Sequence, residues 1–155
     1  MVVGLDVAFI PTPKKIVRAM LQLASLRRGE TLVDLGAGDG RIIIEAVKHF
    51  GAHAIGVEMD PARISRIKER LAATGTRAEL IEADMFNVKL GPANVITIYL
   101  STSVNTRLAP KLRAEVAPGT RVVSLDYPLP EWKPERELEV KASGIERKLY
   151  LYKAS

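Results

Sequence analysis

Asp34-Leu35-Gly36-Ala37-Gly38-Asp39-Gly40-Arg41 is the stretch that decides how this chain folds. It follows a short apolar run, Thr31–Leu35, and opens Arg41–Phe50, whose apolar spacing is helical. A Gly-rich turn between a strand and a helix lets a ligand lie against bare backbone at the carboxyl end of a parallel sheet. Alternate glycines at 36, 38 and 40 remove Cβ atoms from the ligand's path and allow positive φ. The spacing is G-x-G-x-G, not the G-x-G-x-x-G of dinucleotide sites. No Lys-Ser or Lys-Thr pair follows, so a nucleoside-triphosphate loop is excluded.

Outward from that turn, helical and extended patterns alternate. Residues 13–26 carry apolar side chains at helical spacing, with Pro13 at the first turn and Arg27-Arg28-Gly29 as the expected stop. Strands are expected over 53–57, 77–82, 94–100 and 121–125, and a helix over 61–73, capped by Asp60 with Pro61 in its first turn. A further helix over 104–116 should be kinked or split by Pro110. The segment 136–153 reads as an antiparallel hairpin turning at Ser143-Gly144. Five alternations of strand and helix predict an α/β fold: an open, doubly wound parallel sheet with helices on both faces and a hairpin at one edge.

The 155 residues predict one domain spanning 1–155, with an N-terminal segment and helix (1–29), a ligand-binding core (30–126) and a C-terminal β-hairpin (127–155). Apolar residues at 47% and charged residues at 26% are globular composition. The absence of cysteine excludes disulfides, thiolate metal sites and a cysteine nucleophile. No run of about 18 apolar residues occurs, and no basic region followed by an apolar core opens the chain, so a cytoplasmic protein away from membranes is expected. The formal charge of +5 permits acidic partners but is ordinary for a solvated surface. Asn and Gln together number four, while Arg and Glu are plentiful, a balance that fits a thermophilic source.

The carboxylates narrow the ligand. Asp34 sits two residues before the first glycine; it would repel a pyrophosphate and hold a cation. S-adenosylmethionine, with an ammonium and a sulfonium, has that sign. Glu58 ends the second strand, 18 residues after Gly40, where a carboxylate can accept both ribose hydroxyls. Asp84, after the third strand, is placed to accept from an adenine amino group, with Met59 and Met85 available for the ring faces. Helix capping or a solvated strand end explains any one of these carboxylates alone. Three at consecutive strand ends behind one Gly-rich turn resemble the class I S-adenosylmethionine-dependent methyltransferases. That resemblance implies a Rossmann-like sheet of seven strands in the order 3-2-1-4-5-7-6 with the last antiparallel. It also places Gly36, Ala37 and Gly38 against the cofactor, with S-adenosyl-L-homocysteine as product.

Thr97-Ile98-Tyr99-Leu100-Ser101 lacks the polar-Pro-Pro-aromatic loop of methylases acting on nucleobase amino groups. No metal-ligand cluster accompanies it, so no metal is expected. Phe9-Ile10-Pro11-Thr12-Pro13, Tyr99-Leu100-Ser101-Thr102-Ser103-Val104-Asn105, Leu108-Ala109-Pro110-Lys111-Leu112, the run from Pro118 to Ser124, and Trp132-Lys133-Pro134 follow in that order. In this order they resemble the small archaeal protein lysine methyltransferases. Ala8, where relatives tend to have Pro, and Ala37, where Cys or Ser is usual, are departures.

The resemblance implies methyl transfer to the ε-amino group of exposed lysines with broad specificity. Nucleic acid would be involved only indirectly, through nucleic-acid-binding proteins as substrates, and the chain would act as a monomer. It also implies that Pro11, Thr12 and Pro13 form a lid with the N-terminal helix over the cofactor, Thr12 bonding its methionyl carboxylate. Tyr99, Leu100 and Ser101 would line the lysine channel, with Tyr99 orienting the amine or forming a wall. Two other expectations stand beside this one: a methyltransferase acting on RNA or a tetrapyrrole-like metabolite, and a non-catalytic cofactor-binding domain. Asn105 can cap the helix after strand four or touch substrate. Trp132 can close the sheet edge, and Arg63, Arg66, Lys68 and Arg70 read as a solvated helix face.

Overall fold

Seven strands form one sheet in the order β3-β2-β1-β4-β5-β7-β6 in a computed structural model, which describes residues 12–155. In chain order the elements are α1 (Lys14–Leu23), β1 (Thr31–Leu35), α2 (Arg41–Phe50), β2 (His53–Glu58), α3 (Pro61–Thr74) and β3 (Glu79–Glu82). Then come a 3-10 turn (Met85–Asn87), β4 (Val95–Ile98), α4 (Thr102–Glu115), β5 (Arg121–Leu125), β6 (Arg136–Ala142) and β7 (Ile145–Lys153). β1 to β5 pair in parallel, and β7 runs antiparallel between β5 and β6. Ser143 and Gly144 join β6 to β7 with φ of 52° and 76°, the two positive values a type I′ turn requires.

Several element ends differ from the sequence expectations. α1 stops at Leu23 rather than continuing to residue 26, because Ser25 adopts φ 53° and the Leu26 N–H returns to the Leu21 carbonyl at 3.1 Å. This is a Schellman closure with Ser where Gly is usual, hence invisible to a search for glycine. β3 and β4 are shorter than expected; Tyr99 and Leu100 leave the ladder to build the loop above the sheet. α4 begins at Thr102, capped by the Ser101 hydroxyl, and runs through Pro110 without splitting. Pro110 and Thr106, whose carbonyl loses its donor, are both exposed, so water can satisfy that group. Val104, Leu108, Ala109 and Leu112 hold the opposite side of the helix against the sheet.

Alternation along the strands divides the core into two layers. Leu32, Val95, Val123 and Leu125 pack under α1 and α2, joined by Ile67 of α3. Val33, Leu35, Ile96 and Ile98 pack under α4. Gly56 of β2 lies in the first layer, where a Cβ would meet Ala37 Cβ at 3.0 Å and Ile43 and Leu80 at 3.2 Å. Gly56→Val is therefore expected to lower unfolding free energy by about 1–3 kcal/mol through overpacking, seen as a lower urea midpoint. Among the described residues no helix is long and apolar enough to cross a membrane.

Candidate functional site

Strand parity collects the site on one face. Because Leu32 and Val95 point into the α1–α2 layer, Asp34 and Thr97, two residues on and paired in register, point the same way. Above β1 the turn folds over β2: the Gly36 and Ala37 N–H groups both donate to the Val57 carbonyl at 2.9 Å. Gly36 and Gly38 take φ of 79° and 63°, values a side chain would strain. A Cβ at Gly36 would also lie 3.0 Å from Leu100 Cδ2.

Glu58, at the end of β2, ties this turn to the next loop. One carboxylate oxygen accepts from Gly38 N at 3.0 Å, and the other from Met59 N and Asp60 N at 3.1 Å. Asp34 is also buried and accepts a hydrogen bond from the Thr97 hydroxyl at 2.8 Å. Burial pushes its carboxyl up to about 8; the Thr97 hydrogen bond opposes this, and the neighbouring charges of Glu58 and Asp39 add to it. A buried acid held neutral beneath a bare-backbone turn is poised to receive a cation.

Asp39 has the opposite fate. Burial raises its pKa, but Arg41 and Arg70 outweigh that and hold it below the usual range. Arg41 clasps Asp39 through Nε and Nη2 and donates from Nη1 to the Thr12 carbonyl at 2.7 Å. Arg70 of α3 reaches the same carboxylate at 2.7 Å, so it belongs to this network rather than to a solvated face. The start of α1 is thereby tied to the Gly-rich turn, and Thr12 is buried there. Pro11, the other lid residue expected from sequence, lies outside the described residues.

At the end of β3, Asp84 caps the 3-10 turn by accepting from Phe86 N at 3.0 Å. Met85 reaches back to within 3.8 Å of the Cβ position of Gly36, whereas Met59 is 45% exposed. The Phe86 ring is covered by Arg107 of α4 at 4.1 Å, a contact with no sequence signal. After β4 the three expected channel residues separate. Tyr99 packs on the α1–α2 layer, Leu100 is buried in the α4 layer against Gly36, and Ser101 caps α4. Burial raises the Tyr99 pKa, partly opposed by Arg147, whose guanidinium lies 5.4 Å from the ring centre. Asn105 does not cap α4: it is fully buried and donates to the carbonyls of Tyr127 and Pro128 at 3.1 and 3.2 Å. Trp132 packs edge-on to Tyr152 and donates to the Ala109 carbonyl at 3.2 Å.

Asp39, Arg41 and Thr97 were not among the residues singled out from sequence. Only Thr97 carried a signal, as a polar residue inside an apolar strand.

Known proteins similar to this chain point the same way. A family model described as the ANTKMT methyltransferase domain matches residues 34–136. The protein-lysine N-methyltransferase of Saccharolobus islandicus (strain REY15A) is 40% identical over 149 residues, 94% of this chain and 92% of that protein. The adenine nucleotide translocase lysine N-methyltransferase of Mus musculus is 33% identical over 132 residues, 84% of this chain but 57% of its own length. Among solved structures, an RNA methyltransferase from Salinibacter ruber in complex with S-adenosyl-L-homocysteine superposes with a TM-score of 0.86 at 37% identity, covering 93% of each chain.

Proposed function

The chain belongs to the ANTKMT methyltransferase domain family, and on that premise we propose that it methylates the ε-amino group of lysine in protein substrates, using S-adenosylmethionine. The observation that carries the cofactor assignment is the buried, neutral Asp34 beneath a turn whose glycines leave bare backbone toward the ligand. The donor set fits the group. Glu58 spends three acceptor positions on backbone N–H groups, and a carboxylate has about four, so one remains for a ribose hydroxyl.

S-adenosylmethionine, when bound, supplies an electrophilic sulfonium methyl and leaves as S-adenosylhomocysteine. The chain's own residues hold and orient it. Asp34 would meet the cationic end, Gly36, Ala37 and Gly38 would offer backbone, and Glu58 would take a ribose hydroxyl. Asp84 would accept from the adenine amino group, with Met59 and Met85 available to the ring. Thr12, anchored through Arg41 and Asp39, would bond the methionyl carboxylate. Tyr99, Leu100 and Ser101 define the acceptor side: Tyr99 as channel wall and as the hydroxyl that orients the amine, Leu100 as packing beneath the turn, Ser101 as the cap that fixes the loop.

The acceptor must enter as neutral amine, since an ammonium has no lone pair, and apolar walls lower its pKa in that direction. Displacement needs alignment above all, which a braced site supplies. Lysine is favoured as acceptor by the archaeal relative, which matches along nearly the whole of both chains. Broad specificity is part of this reading; it is supported by an element order that, among the described residues, has no insertion able to read a long peptide. The second reading, an RNA acceptor, is favoured by the name of the Salinibacter ruber neighbour.

Incubation with methyl-labelled cofactor, a mixture of lysine-rich proteins and total RNA separates the two readings. Protease-sensitive label is expected; nuclease-sensitive label alone would overturn the lysine assignment. Tyr99→Phe is expected to lower kcat several-fold while leaving cofactor affinity within twofold, provided the hydroxyl orients the amine. Unchanged turnover would make Tyr99 a wall only.

A further inference from the structure

We propose that Tyr127 is a second acceptor-contacting residue, forming with Tyr99 a two-ring aromatic wall along which the substrate lysine lies. This rests on the lysine reading above. Tyr127 follows β5, the strand beside β4, so both tyrosines emerge at carboxyl ends of adjacent strands, where open α/β sheets hold their ligands. Their rings lie nearly parallel, 17° apart with centroids 6.3 Å apart. Tyr127 is one of three large apolar side chains left exposed among the described residues, at 37%.

The loop beneath it is held with unusual thoroughness. Asn105 and the Ser124 hydroxyl both donate to the Tyr127 carbonyl, and Asn105 also donates to that of Pro128. Tyr127 N donates to the Leu125 carbonyl at 2.8 Å, and Leu129 N to the Tyr152 hydroxyl at 2.8 Å. Asp126, in the left-handed region at φ 65°, accepts two bonds from Arg147 at 2.9 and 2.7 Å and one from Lys148 N at 3.2 Å. These tethers act on backbone or on Asp126; the Tyr127 ring itself is stacked on Tyr99 and remains partly exposed. Folding requires the loop but gives no reason for an aromatic ring on its surface.

Acceptor chemistry gives that reason. A lysine stem is four methylenes that pack on ring faces, and a partly methylated ammonium is attracted by them. A ring fixed before the acceptor arrives loses little freedom on binding it. Arg147, which lies over Tyr99, is paired with Asp126, so its charge is offset where the lysine side chain approaches.

The test uses the full chain with Tyr127→Ala, Tyr127→Leu and Tyr127→Phe. Steady-state kinetics are measured on a lysine-rich acceptor protein, and S-adenosylmethionine affinity by calorimetry. Loss of the ring in the Ala or Leu variant is expected to raise acceptor KM about tenfold while cofactor Kd stays within twofold; Phe is expected to behave as wild type. The Leu variant carries the test if Ala fails to fold. Acceptor KM within twofold of wild type in a folded variant lacking the ring overturns the proposal, as does a parallel loss of cofactor affinity. Label from wild type on RNA and never on lysine overturns the lysine reading and this proposal together. Label on lysine with unchanged KM overturns this proposal alone.

Discussion

Asp34→Ala is expected to weaken S-adenosylmethionine binding by about 10- to 100-fold at pH 8, since charge-assisted hydrogen bonds contribute roughly 1.5–3 kcal/mol. The pH dependence is the sharper signature. Burial raises the Asp34 carboxyl to about 8, so the ligand-free protein carries that proton at pH 7. A cationic ligand needs the carboxylate, so binding below pH 8 must release the proton. Wild-type affinity is then expected to climb with pH, by up to about tenfold per unit, and to flatten above about 8. The same shift acts on stability. A folded-state pKa raised above the unfolded value contributes stability that is full below about 4 and is lost as pH rises through about 8. The ligand-free protein should therefore melt at a lower temperature at pH 9 than at pH 6, and Asp34→Asn should remove Asp34's part of that difference. Calorimetry in buffers of different ionisation enthalpy reads the proton release directly. An affinity flat from pH 6 to 9 would contradict the assignment of Asp34 to the cationic end.

Glu58→Ala is expected to damage the protein twice. The side chain is 4% exposed and receives three backbone N–H groups, from Gly38, Met59 and Asp60. Leaving buried donors unpaired costs about 1–3 kcal/mol each. Water can enter the emptied space and recover part of that, so a loss of about 2–4 kcal/mol is expected, read as a lower urea midpoint with an unchanged slope. Cofactor affinity should fall tenfold or more, because the ribose partner and the lock on the Gly-rich turn go together. Glu58→Gln keeps the volume but faces an amide toward N–H donors, and an intermediate result is expected. An unchanged midpoint together with cofactor binding within twofold would contradict both roles given to Glu58.

The alternation of strands and helices was legible in the sequence because hydrophobic period and turn residues agreed at nearly every junction. Asp60-Pro61 and Ser143-Gly144 are examples where cap and turn chemistry coincide with the observed boundaries. Boundaries were lost where an unexpected residue did the work. Ser25 closes α1 in place of glycine, and Pro110 stays inside α4 because the orphaned carbonyl faces water.

At the site, Asp34 and Glu58 stood out because carboxylates at strand ends break an apolar pattern. The Arg41–Asp39–Arg70 network did not, since its partners lie 2 and 31 residues apart and only the packing of α3 beside α2 unites them. Tyr127 was missed for a related reason. Its significance depends on Tyr99, 28 positions earlier, and on tethers from Asn105, Ser124, Tyr152 and Arg147 that no spacing rule collects.

The central claim is transfer of a methyl group to the ε-amine of lysine, and one measurement meets it directly. A purified acceptor protein and a version with every lysine replaced by arginine are each incubated with enzyme and methyl-labelled S-adenosylmethionine, then hydrolysed to amino acids. Labelled ε-N-methyl-lysine from the first acceptor and background from the second is the result expected. Equal label in both, or label in neither while RNA in the same tube is modified, would contradict it.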